Sequence, residues 1–562
     1  MMDVGMPLAS PVTPRNTFPA WTGALLCLLA VASAIVLLFV TAPKHEDFWW
    51  TDSATFALNG ELIRDYLASG LGQNPMAFAS AWFLRYPALT ISLYPPIFPM
   101  VEAAVFAIFG FSHAAAQATV TGFAALAAYG AYRVCRSAVP MAAAAGGAIL
   151  LLSTPGVLLW SRQVVMEVPT LAFLLLAAAV FLHHQRVGNL RSLLLAVLFL
   201  LAAVYTKQTA IFIAAAFAAA LILDGGLTVL RKQSTWIAVA IGIAGLVPLT
   251  IFTLLYASQN IDSAIGAGTS SIDGHSAASR LSVAAFLVYG RALTAIVGPL
   301  PLAASAVYLA LLTRLGWRHA EEKRLTLLML CWFVADYVMI SVIGHFEHRY
   351  GIFLTVPPVV LSVLLAARVL HYRGDGTIIL PLAVLLFALG LASAPVTRIT
   401  GYDAVAQYIV DHTHQDSVVL FHGKESKNFT FSVRVRTPHP KIFIVRADKV
   451  LVKYNIVREW GITDRNLSEA DIEGIVDRYG IEYVVSQPGF WTDQPSMAKL
   501  EAVLHSNRFT LVAEFPIESE EPSQRTTIRI YRNNRPVPAS AQQLLIEMPA
   551  LGRAISGQLN GR

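Results

Sequence analysis

At 562 residues the chain is 56% hydrophobic and only 14% charged, with a mean hydropathy of +0.59. A soluble domain carries about one quarter charged residues, so most of this chain must lie in lipid. The net charge of +6 is modest, and its Lys and Arg fall in short loops between apolar runs; that pattern sets topology and excludes a nucleic-acid patch.

The first apolar run, 20–41, follows a segment whose single basic residue is Arg15. It is long for a signal-peptide core and lacks a small-residue cleavage pattern, so it reads as a retained anchor. Further spans of about 17 to 25 residues are predicted at 113–134, 139–160, 165–184, 190–206, 207–224, 235–256, 291–313, 324–344, 350–370 and 376–394. Cys27, Cys135 and Cys331 lie in or at the ends of these runs and read as unpaired core residues, with no disulfide or zinc spacing.

The run 95–110 is short, opens on Pro95-Pro96 and contains Glu102. If it does not cross, then Arg133 with Arg136, His183 to Arg191, Arg231 with Lys232, Arg314 to Arg324 and Arg368 to Arg373 share one face. That is the positive-inside pattern. The reading is therefore an interfacial or re-entrant helix at 95–110 and about eleven spans, which puts residues 395–562 on the exoplasmic side. The fold class expected is mainly α: a polytopic membrane helix bundle, 1–394, with a small C-terminal α/β exoplasmic domain, 395–562. Short apolar strands at 417–421, 441–445, 481–486 and 508–515 alternate there with helical stretches at 402–412 and 468–479. From about Pro536 the sequence shows no clear pattern.

Polar residues gather on the exoplasmic side. Loop 42–112 opens with His45 to Asp65, where Phe48, Trp49 and Trp50 interleave with Glu46, Asp47 and Asp52. Trp suits the headgroup layer, so Asp52 stands at the membrane surface, on the aqueous side. Arg162, Glu167, Lys207, His345, Glu347, His348 and Arg349 fall at or near the same face.

Four places carry a resemblance: Asp52 in the first loop; Tyr94-Pro95-Pro96 before an apolar stretch ending Phe109-Gly110; Ser161-Arg162 followed by Glu167 and Pro169; and Tyr205-Thr206-Lys207-Gln208 between two spans. In that order and sidedness they resemble the GT-C membrane glycosyltransferases, of the protein O-mannosyltransferase, aminoarabinose transferase and RgtA-like type, over roughly residues 20 to 370. The resemblance implies a polyprenyl-phosphate-linked sugar donor, an exoplasmic acceptor (glycan, lipid or protein) and an inner-membrane enzyme in contact with membrane lipid. Its catalytic carboxylate maps onto Asp52. Its second acid, usually Asp, maps onto Glu167, and Ser53 stands where many relatives carry a further acid. No cofactor is implied with certainty, and a divalent cation in the first loop is left open.

The chemistry agrees with those positions. Transfer from a phosphate donor needs a base for the acceptor proton and cations for the leaving phosphate. Asp52 fits the base, and Lys207 and Arg349 fit the clamp, with Arg162 and His345 beside them. Trp49, Trp50 and Tyr94 can stack on sugar rings or the first isoprene units.

Each residue also has a plain structural reading. Asp52 is a good N-cap for a helix at 53–66. Glu167 can pair with Arg162, Lys207 can snorkel to the interface, and Arg349 and His345 can cap helix ends. Tyr94-Pro95-Pro96 can be a rigid corner. Asp336 lies inside a span, where an ionisable group is costly and faces the bundle interior. A polytopic transporter or a non-catalytic membrane scaffold also fits the composition, although the chain lacks the repeated halves common in transporters.

Overall fold

Away from water a backbone can satisfy its polar groups only within its own segment, so the apolar runs fold as helices. The computed structural model of the protein describes residues 20–90, 94–256, 283–343, 346–370, 378–394, 396–437, 441–454, 458, 462–535, 543–548 and 553–558. The helices of the membrane part are α1 (Ala20–Thr41), α2 (Thr51–Asp65), α3 (Pro75–Arg85), α4 (Ile97–Phe109), α5 (His113–Arg136), α6 (Met141–Ser153), α7 (Pro155–Trp160), α8 (Glu167–Val187), α9 (Leu190–Val204), α10 (Phe212–Gly225), α11 (Gln233–Tyr256), α12 (Val283–Val297), α13 (Pro299–Leu315), α14 (Ala320–Val342), α15 (Val356–Leu370) and α16 (Ile379–Ser393). Among the described residues, six stretches are long and apolar enough to cross a bilayer: Trp21–Thr41, Glu167–Val187, Gln208–Arg231, Gln233–Tyr256, Ala320–Val342 and His348–Leu370. The protein is a multi-pass membrane protein.

Two predicted spans are not single rods. The run 291–313 is split between α12 and α13, bent by 109°. Gly298 at the corner has φ +89°, and Pro299 after it has no N–H to continue the ladder. The run 139–160 breaks at Thr154, whose extended backbone precedes Pro155. Helix α4 is 13 residues, about 20 Å at 1.5 Å per residue, well short of a hydrocarbon core. It packs on α2 and α5.

Beyond α16 the chain forms the C-terminal sheet domain. Its elements are β1 (Ile399–Thr400), α17 (Tyr402–His412), β2 (Val418–His422), α18 (Ser426–Arg436), β3 (Phe443–Arg446), α19 (Ala447–Val450), β4 (Val452–Tyr454), β5 (Ile462–Asp464), α20 (Glu469–Tyr479), β6 (Ile481–Ser486), α21 (Pro495–Leu504), β7 (Phe509–Ser519) and β8 (Thr526–Asn533). The main sheet runs β1-β7-β8-β6-β2-β3. Strands β6, β2 and β3 are parallel and their neighbours antiparallel. Helix α20 starts on a capping box formed by Ser468 and Asp471. The stretch after Pro536, patternless in sequence, contains an antiparallel hairpin of β9 (Gln543–Met548) and β10 (Arg553–Gln558).

The sheet domain is seated on the first loop. Asp47 bridges to Ile399 at the edge of the sheet, its N–H donating to the Ile399 carbonyl at 2.9 Å. Asn428 in α18 holds both backbone groups of Phe48, at 3.0 and 2.8 Å. Phe431 on the next turn packs on Phe48 and Phe111. On the other face of the sheet, Phe83 and Leu84 of α3 join a core with Val418, Leu420 and Phe443. Apolar cores therefore run from bundle to sheet without a gap.

Candidate active site

Helix α2 begins at Thr51, and Trp50 is its N-cap, with φ −89° and ψ 116° and no side-chain cap bond. The helix starts two residues before the expected 53, so Asp52 lies inside the first turn and does not cap it. Its carboxylate is free to look outward. It meets two cations: Arg349 Nη2 donates to Oδ2 at 3.1 Å, and Lys427 Nζ donates to Oδ1 at 2.9 Å. Burial alone would raise the Asp52 pKa; Lys427 and Arg349 outweigh it and hold the carboxyl well below the usual range. Asp52 is ionised at any working pH.

Arg349 stands in a 3₁₀ turn, His348–Thr355, that leads into α15. Its guanidinium is 3% exposed and faces three acids. Besides Asp52, Nε lies 3.4 Å from Glu167 Oε1 and is ion-paired with Glu347. Glu167, in the first turn of α8, accepts a 2.6 Å hydrogen bond from Lys207 Nζ on that same oxygen. Lys207 comes from the extended link between α9 and the turn Gln208–Ile211. The cluster thus sets Asp52, Glu167 and Glu347 against Lys207, Arg349 and Lys427, three charges of each sign.

Aromatic rings wall it. Arg349 sits 5.1 Å from the Trp50 ring and 5.4 Å from the Tyr350 ring, and Lys207 sits 4.1 Å from Tyr350. Trp50 and Trp49 both pack on Trp160, the last residue of α7. Trp49 Nε1 also donates to Glu521 of the sheet domain at 3.2 Å. Tyr94 packs on Phe56 of α2 and lies in the field of Asp52, Arg349 and Glu167.

The structure therefore brings together Asp52, Glu167, Lys207, Arg349, Trp50, Tyr94 and, at the rim, Trp49. Arg162 goes elsewhere: it donates to the carbonyls of Leu158 and Ala394 at 3.0 and 2.8 Å, and its partner is not Glu167. His345 lies outside the described residues. Asp336 is fully buried in α14 with neither oxygen hydrogen-bonded. Sequence reasoning did not select Lys427, Tyr350 or Trp160 for the site. Among the described residues no three His, Cys, Asp or Glu side chains are grouped as a metal site. The arrangement offers one carboxylate, 28% exposed, that can take a proton, beside cations able to hold an anion.

A family model, dolichyl-phosphate-mannose-protein mannosyltransferase, matches residues 94–252. No curated protein matches the chain. Among solved structures, ArnT from Cupriavidus metallidurans bound to undecaprenyl phosphate superposes with a TM-score of 0.61 at 15% identity, covering 91% of this chain and 98% of that one. Its apo form gives 0.57 at 16% identity, with the same coverage. The Archaeoglobus fulgidus oligosaccharyltransferase AglB, in complex with an inhibitory peptide and a dolichol-phosphate, gives 0.53 at 13% identity, covering 92% of this chain and 75% of that one. The chain thus shares the fold of these GT-C membrane glycosyltransferases, and its residues 94–252 match the mannosyltransferase family model.

Proposed function

We propose that the protein transfers a sugar from a polyprenyl-phosphate-linked donor to an acceptor hydroxyl or amine on the exoplasmic side of the inner membrane. The observation that carries this reading is the link from Asp52 through Arg349 to Glu167 and Lys207, which sets a carboxylate beside two cations able to hold a phosphate.

Roles follow from the geometry. The acceptor oxygen attacks the anomeric carbon, the bond from that carbon to the phosphate oxygen breaks, and the acceptor proton passes to Asp52. The leaving lipid phosphate gains one negative charge in this step. Arg349 and Lys207 therefore bind it more tightly as the bond breaks, which is how a fixed electrostatic site lowers a barrier. Glu167, buried and bonded to both cations, orients them. Trp50 and Tyr350 flank Arg349 and form a surface for a sugar ring. The donor class is supported by the undecaprenyl phosphate of ArnT and the dolichol-phosphate of AglB. The membrane part, 1–394, supplies the donor site, and residues 395–562 cover it from the exoplasmic face.

A transporter of lipid phosphate has the same need for cations but none for an ionised base. The test is purified protein with a polyprenyl-phosphate sugar and candidate acceptors. Release of polyprenyl phosphate coupled to sugar on the acceptor supports the reading; binding of the lipid without release, whatever the acceptor, overturns it.

A further inference from the structure

Asp52 has two oxygens, and each is held by a cation from a different part of the chain. Arg349 on Oδ2 belongs to the bundle. Lys427 on Oδ1 belongs to the first turn of α18 in the sheet domain, 375 residues away in sequence. Lys427 is delivered there by a row of contacts along one side of α18. Just before the helix, Glu425 accepts a hydrogen bond from Thr51 Oγ1 at 3.1 Å, one residue before Asp52. Asn428 clamps the Phe48 backbone, Phe431 fills the space between Phe48 and Phe111, and Arg434 reaches Glu61 and Asp65 at 2.8 Å. Residues 427, 431 and 434 recur at the i, i+4, i+7 spacing of one helix face. That face is laid along α2 from Asp52 to Asp65.

Within this row Lys427 is poorly placed to contribute stability. Its side chain is 23% exposed and its partner 28%, so solvent screens the pair. Arg434, Asn428 and Phe431 are buried and hold the domain. What Lys427 does is geometric. With Oδ2 alone held, the carboxylate can turn about its last torsion; with both oxygens held, its plane is fixed.

Resting on the reading of Asp52 as the base, we propose that Lys427 is a positioning residue of the active site. The sheet domain inserts it to fix the Asp52 carboxylate, so the site is complete only while that domain is seated. This assigns the C-terminal domain a part in the chemistry as well as in covering the pocket.

The groups that face Asp52 are Lys427 and Glu425 from the start of α18, Arg349 and Tyr350 from the turn before α15, and Tyr94 from the link before α4. Lys427→Met removes one of the two cations among them. The full-length Lys427→Met protein should lose about tenfold in kcat while keeping the KM for the lipid donor. Lys427→Arg should restore kcat. A Lys427→Met enzyme with unchanged kcat overturns the proposal, as does one whose KM for the lipid donor rises in step with the loss of kcat. So does a loss of activity that follows loss of thermal stability and is not restored by Arg. An active Asp52→Asn enzyme would instead overturn the underlying assignment of the base.

Discussion

Helix α2 carries an ion cluster at each end, and the two differ in what surrounds them. At the Asp65 end, Arg434 is 1% exposed and Glu61 is fully buried; the guanidinium reaches Glu61, both oxygens of Asp65 and the Thr437 carbonyl. Asp65 also accepts from the Trp82 indole at 3.0 Å. At the Asp52 end the same kinds of charge meet, yet the carboxylate stays 28% exposed, with indole and phenol rings around it. A sealed cluster can hold two domains together but cannot meet a substrate. An open one holds little but can exchange partners. Pairing alone therefore does not tell a charge open to a substrate from a structural one; under the proposed function, solvent access and the company of aromatic faces do.

Breaking the sealed end should have the largest effect. Arg434→Met takes the buried guanidinium from between Glu61 and Asp65, leaving Glu61 to Arg64 at 2.6 Å and Asp65 to the Trp82 indole, and loss of one partner from a buried cluster costs up to about 3–5 kcal/mol. The sheet domain should become sensitive to protease at temperatures where the parent chain is intact, and activity should fall with it. Equal resistance to protease in the two proteins would show that α18 is held by its apolar contacts alone.

Breaking the open end should leave the fold intact. Asp52→Asn preserves size and, since no cap bond is made by this side chain, removes no cap. It cannot accept a proton. Turnover should drop by about 10²-fold or more with thermal stability and donor binding kept. If the Asn enzyme turns over normally, Asp47 is the next carboxylate of the loop to test.

The donor clamp sharpens the same contrast at a smaller scale. Lys207→Ala and Arg349→Ala should each raise the KM for the lipid donor by about tenfold, the worth of one charge-assisted contact, and raise that for the acceptor much less. Arg162→Gln should leave the donor KM alone, because Arg162 is committed to the Leu158 and Ala394 carbonyls. Unchanged donor kinetics in both clamp variants would remove Lys207 and Arg349 from the site.

These sites were unequally legible in the sequence. Glu167, Lys207 and Arg349 could be found because each is an ionisable residue at the end of an apolar run, where lipid leaves it few alternatives, and Asp52 because it follows the tryptophans of the loop after the first run. Once the runs are assigned to faces, the four fall on one side. Arg162 satisfies the same rule and was drawn in by it; only coordinates show that backbone carbonyls had claimed it. Lys427 obeys no such rule. It sits in a sheet domain of ordinary composition, and its place beside Asp52 depends on how α18 docks, which no local pattern encodes. Helix ends were legible where a capping pair stood, as at Ser468 and Asp471. They were less so at Thr51, where the cap is backbone geometry at Trp50. The bend at Gly298 was hidden because one Gly and two Pro lower the hydropathy of a long apolar run too little to interrupt it.

The smallest expected effect is the most direct test of the comparison. Lys427→Met and Arg434→Met remove one cation each from the same face of α18, and each cation bonds an acid of α2. If ion pairs were equivalent, the two would cost alike. The exposed pair gains little, because water screens both charges and two flexible chains are held in one geometry, so its removal should cost about 0–1 kcal/mol. That small cost should shrink further between low salt and about 1 M salt, where the Debye length falls to about 3 Å. The Arg434 variant should change less with salt, since Glu61 is fully buried and Asp65 is only 17% exposed. Thermal unfolding of both variants at the two salt concentrations gives four numbers. A Lys427 variant as unstable as the Arg434 variant, with no response to salt, would mean that the open end of α2 is a fastening like the sealed one, and the division of labour along this helix would fail.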